Sequence, residues 1–162
     1  MNGIAAERPW CRCSQRRRED VLLTFAHESG CSVVIDDDGR VAYAYLRGPD
    51  DDIIGDVWLF NRIDVKTPVD WADPTQAPFP NPPQLARPFE GKLPRAKDMD
   101  VRWTLDGPLL LADVLVRGQL LARLSPGSTP GWNVLALAVG PCAQPFPEPE
   151  EEEDDSGAGD GS

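Results

Sequence analysis

Residues 31–62 read CSVVIDDDGRVAYAYLRGPDDDIIGDVWLFNR, and this stretch decides the fold. It parses as three apolar runs, CSVVI, RVAYAYLR and IIGDVWLFNR, separated by two acidic turns. Val, Ile, Tyr, Trp and Phe dominate the runs, the residue types that suit a pleated, packed surface. Asp38-Gly39 is a hairpin signal, because tight β-turns need a residue that accepts positive φ. In the middle run Val41, Tyr43 and Tyr45 share one face, and Ala42, Ala44 and Leu46 the other. Both faces are apolar, which predicts a central strand covered on two sides. In the third run Ile54, Asp56, Trp58 and Phe60 alternate with Ile53, Gly55, Val57 and Leu59.

Working outward, the segment from Asp20 carries Val21, Leu22, Leu23, Phe25 and Ala26, a run too short for periodicity to separate strand from helix. A strand directly after it favours strand. Residues 64–98 hold eight of the 17 prolines and read as a long connection, with a short helical turn near Pro83–Arg87. Proline cannot donate to a ladder, so this is not central sheet. Trp71, Phe79, Leu85 and Phe89 would tack the loop onto the sheet. A second block of strands follows: DVRWTL with Val101, Trp103 and Leu105 inward, LLLADVLVR, QLLARL, and WNVLALAV as the last. The expected fold is mostly β, an antiparallel β-sandwich or flattened barrel of about seven to eight short strands with little helix. Residues 1–19 form a basic, Cys-containing arm, 20–143 a single β domain, and 144–162 a disordered acidic tail.

Most of the net charge of −11 belongs to that tail. Eight of the 27 acids lie between Glu148 and Asp160 without a base, which leaves 19 acids against 16 bases elsewhere. A nearly balanced body excludes a basic nucleic-acid footprint, since phosphate binding needs clustered Lys and Arg. There is no apolar run long enough to span a membrane. No secretory leader is expected either, so the chain reads as cytoplasmic, with its four cysteines reduced or metal-bound rather than paired.

Chemistry-bearing constellations are few. Cys11, Cys13, His27 and Cys31 supply three thiolates and the sole imidazole, a donor set that suits a closed, structural zinc site. The competing reading is an idle histidine beside small-hydrophobe cysteines. Cys142 reads as a buried thiol, because no histidine lies near it in sequence to act as its base. The aspartate triplets 36–38 and 50–52 are explained by turn chemistry, and they fall at opposite ends of the middle strand. No Walker loop, G-x-G-x-x-G or G-x-S-x-G occurs. Trp71, Phe79, Phe89 and Trp132 lie in or beside proline-rich turns and are candidate partner-binding aromatics.

The leading expectation is a small cytosolic, non-enzymatic module that binds a protein partner, in the manner of an inhibitor or immunity protein, with no cofactor. The alternatives are a small-molecule binder or enzyme with Tyr43, Tyr45 or Arg102 lining a β-cavity, and a zinc-stabilised adaptor.

Overall fold

The computed structural model describes residues 21–65 and 68–147. Eight antiparallel strands are present among them, in two four-stranded meanders. The first is β1 (Val21–Ala26), β2 (Ser32–Asp37), β3 (Val41–Arg47) and β4 (Ile53–Asn61), side by side in chain order. The second is β5 (Met99–Asp106), β6 (Leu109–Val116), β7 (Gln119–Leu124) and β8 (Trp132–Asn133). The open sheets make a sandwich-like fold, as the strand spacing anticipates.

The turns follow the residues. Gly39 takes φ +83° between Asp38 and Val41, whose backbones pair at 3.3 Å. Asp38 Oδ1 accepts from the Arg40 and Val41 amides at 2.8 and 2.9 Å, so the acidic turn stabilises itself without an ion. Arg117 and Gly118 both take positive φ, 49° and 81°, in the two-residue link from β6 to β7.

β3 is buried from Val41 to Leu46, as expected for a covered central strand. The strict alternation read along β4 is broken by a bulge. Trp58 lies opposite Tyr43 and Phe60 opposite Ala42, so the extra residue at Leu59 sends Trp58 and Phe60 to opposite faces. Both rings are buried as a result.

Two expectations are corrected. The segment WNVLALAV is not a full strand: β8 ends at Asn133. The Asn133 side chain accepts from the Leu135 amide at 2.7 Å and curls the chain into a turn. Leu105 does not join Val101 and Trp103 inward, but is 66 % exposed near the tip of the β5–β6 hairpin. In the proline-rich connection a 3₁₀ turn forms at Pro74–Gln76, capped by Asp73, and a second at Ala96–Asp98. Near Pro83 the chain makes a turn, with Leu85 and Ala86 amides on Pro82 O at 2.9 and 3.1 Å.

The outer edge of β4 is covered rather than open. Ile54 O accepts from Gly127 N at 2.7 Å, and Asp56 N donates to Ser128 O at 3.0 Å. Asp56 O accepts from Gly131 N at 2.6 Å, and Trp58 N donates to Cys142 O at 2.8 Å. This seam joins the two meanders and satisfies an edge that would otherwise invite another strand. Gly131 is required there: a Cβ would stand 2.4 Å from Arg123 O.

Candidate functional site

The strongest site begins where β4 runs out. Asn61, its last residue, reaches across to the proline-rich connection. Its Nδ2 donates to Asn81 O at 2.7 Å, and its Oδ1 accepts from Asn81 N at 2.9 Å and from Trp58 Nε1 at 2.8 Å. The reciprocal pair pins the backbone of Asn81, which sits between Pro80 and Pro82. Arg62 adds a second tie. Its Nε lies 3.0 and 2.8 Å from the two Asp37 oxygens, and its Nη2 donates to Asp37 Oδ2 at 2.7 Å and also to Pro94 O. Asp37 is buried, so the acidic turn residue serves as an anchor for the connection.

These ties leave a cleft of about 360 Å³, walled by Trp58, Pro83, Pro88 and Phe89, with Asp64 and Arg87 among its lining residues. Asn81 lines it and is 2 % exposed, and its Oδ1 has no hydrogen-bond partner. Among the described residues it is the one buried side-chain polar atom left so.

Beside the cleft stands an apolar ridge. Val134, Leu137 and Val139 are 36 %, 52 % and 73 % exposed. The segment that carries them is held firmly. Ala136 bridges Ala86, Leu137 N donates to Leu85 O at 2.8 Å, and Arg87 N donates to Leu135 O at 2.7 Å. Arg87 Nη2 also donates to Val134 O at 2.6 Å, so one side chain borders both cleft and ridge. Beneath them Asn133 is fully buried, its Nδ2 donating to Trp58 O at 2.6 Å and Leu59 O at 3.0 Å.

The four candidate aromatics are not gathered into one surface. Phe79 is buried at 3 % exposure, with Trp71 against it at 5.2 Å between ring centroids. A buried Phe79 packs the loop rather than meeting a partner. Phe89 is half-buried against Phe60 and reaches the cleft; Trp132 is half-buried in β8. Tyr43 and Tyr45 stack in the core, and neither is among the lining residues of the cleft. Arg102 extends from the other sheet to the buried Asp113 at 3.3 Å, away from the cleft. Of the zinc candidates, Cys11 and Cys13 lie outside the described residues. Cys31 is buried, while the His27 ring lies tilted against Trp103 at 4.9 Å and its Nδ1 accepts from Ser29 N at 3.1 Å. No cluster of metal-ligating side chains occurs among the described residues. Of the tail expected over 144–162, residues 148–162 lie outside them too.

Cys142 is buried beneath the Tyr43 hydroxyl, which donates to Phe79 O at 2.5 Å and lies 3.0 Å from the Cys142 Sγ. Burial pushes the thiol up to about 12 and raises Tyr43 well above the usual phenol value. At neutral pH Cys142 is a protonated packing residue, not a nucleophile. A pH dependence follows. The unfolded thiol ionises near pH 9 while the folded one does not, so the unfolded state binds fewer protons and stability falls as pH rises. Between pH 9 and 10 we expect a loss of about 1 kcal/mol from this group, measured by urea unfolding at each pH. Cys142→Ser should lack that increment.

No family model, curated protein or solved structure matches the chain.

Proposed function

We propose that the chain is a non-enzymatic interaction module that binds a protein partner through the ridge of Val134, Leu137 and Val139. One observation carries this reading: three exposed apolar side chains stand on a segment tied down by backbone hydrogen bonds on both flanks. A floppy segment would pay ordering entropy on binding; a preorganised one does not. Exposed apolar side chains gathered within residues 134–139 support an interaction site there. The acidic excess supplies steering toward a basic partner, as an inhibitor or immunity protein would use it. Cys31 and Cys142 are free and buried, in keeping with a cytosolic setting.

The test is a quantitative co-purification comparing the native chain with Leu137→Asp/Val139→Asp. Both positions are exposed, so the variant should keep its melting midpoint and its free energy of unfolding within about 0.5 kcal/mol. A stoichiometric partner should be held by the native chain and lost, by tenfold or more in Kd, from the variant. Equal retention by both would remove the ridge from recognition.

A further inference from the structure

The geometry points to a second binding activity: the cleft at the end of β4 takes an amino-acid-sized zwitterion whose apolar body ends in an N–H or O–H donor. Three features converge on that chemistry. The Asn81 Oδ1 is a buried acceptor with no partner, beside apolar walls from Trp58, Phe89, Pro83 and Pro88. Leaving such an acceptor unpaired is destabilising, so a folded chain that retains one is expected to satisfy it by other means. A donor brought in by a ligand does so.

The charged lining gives the other two features. Arg62 is consumed by Asp37 and by Pro94 O, so it closes the cleft as a neutral pair. Asp64 and Arg87 are exposed, and neither forms an ion pair among the described residues. The Asp64 carboxylate, and the Arg87 donors beyond the Nη2 bond to Val134 O, match an ammonium and a carboxylate on the same small molecule. The volume of about 360 Å³ accommodates one such molecule and lies at the lower end of ligand pockets, roughly 300–1,000 Å³. The Asn61 clamp holds Asn81 by its backbone alone, so the Asn81 side chain is spare for recognition.

The separation of fold from recognition makes the test sharp. Asn81→Leu keeps the shape and the clamp but removes the orphan acceptor. Thermal unfolding and calorimetric titration would be run on the full chain with L-tyrosine and L-tryptophan at millimolar concentration. L-phenylalanine is the control without a donor, and tyramine the control without a carboxylate. We expect the two donor-bearing amino acids to raise the melting midpoint and the controls to bind about tenfold more weakly or less. Asp64→Asn and Arg87→Gln should each weaken binding by a similar factor. Asn81→Leu should melt about 3 °C higher than the native chain without ligand, and should not respond to tyrosine or tryptophan. No response of the native chain to either amino acid, an equal response from Asn81→Leu, or a lower midpoint for that variant would each overturn the assignment.

Discussion

Asn133→Ala should lower the free energy of unfolding by about 3–4 kcal/mol, read from urea denaturation at constant slope. The size follows from what one amide holds. Its Nδ2 satisfies two carbonyls of β4, Trp58 O and Leu59 O, and its Oδ1 satisfies the Leu135 amide. The residue is fully buried, so truncation strips a side-chain partner from all three backbone groups inside the fold. Each unmet buried group costs about 1–3 kcal/mol, and partial relaxation of the turn returns some of it. Asn133→Asp should be no milder, because a carboxylate cannot donate and would face two carbonyl oxygens. A loss below about 1 kcal/mol would show that the seam beside β4 holds without this side chain. The same variant should also weaken partner retention, since Asn133 sets the turn from which the ridge projects.

The second large effect is expected on the other sheet. Asp113 on β6 is 2 % exposed and accepts from Arg123 Nε at 2.6 Å and Nη2 at 3.0 Å. Arg102 adds a third contact at 3.3 Å. The register places Arg102, Asp113, Arg123 and Trp132 in one row across the four strands. Hydrogen bonding to the carboxylate raises the Arg123 pKa, which favours its charged guanidinium. Asp113→Leu should cost about 2–3 kcal/mol. That is below the roughly 3–5 kcal/mol of a fully buried pair, because the Arg123 side chain is 33 % exposed and water screens the orphaned cation. Adding Arg123→Met should recover part of the loss, since an apolar pair leaves no charge uncompensated. If the double variant is less stable than the single, Arg123 does more than answer Asp113.

The sequence made the strands legible wherever local chemistry and tertiary packing agreed. The turns at Asp38-Gly39 and Asp106-Gly107 need a residue tolerant of positive φ, and Gly39 and Gly107 supply it. The long apolar run of β3 could only be a covered strand. Legibility failed where a side chain overrode a pattern. WNVLALAV alternates well enough for a strand, but Asn133 bonds back to its own backbone two residues on. The bulge at Leu59 is invisible to period-two counting, because nothing in the residues marks the register slip. The cleft was unreadable for another reason. Asn61 and Asn81 are twenty residues apart, and only the folded connection makes them reciprocal. The asparagine set among prolines at 80–83 was the one available hint. Phe79 and Phe89 occupy similar contexts in the sequence, yet one is buried and the other reaches the cleft.

The seam along β4 also sets an order of events during synthesis. β1 to β4 are linked by short hairpins and can pair as soon as Asn61 has left the ribosome. The groups that cover the outer edge of β4 come from residues 127–142, some seventy residues later. Throughout that interval the nascent sheet presents β4 with its amides unanswered, beside the buried-to-be rings of Trp58 and Phe60. The proline-rich connection is made in the same interval. Asn81 can then engage Asn61 before the second meander exists, a provisional cover for the exposed end of the strand. A chain interrupted before Gly127 would keep that edge open and should be the form that chaperones hold and proteases remove.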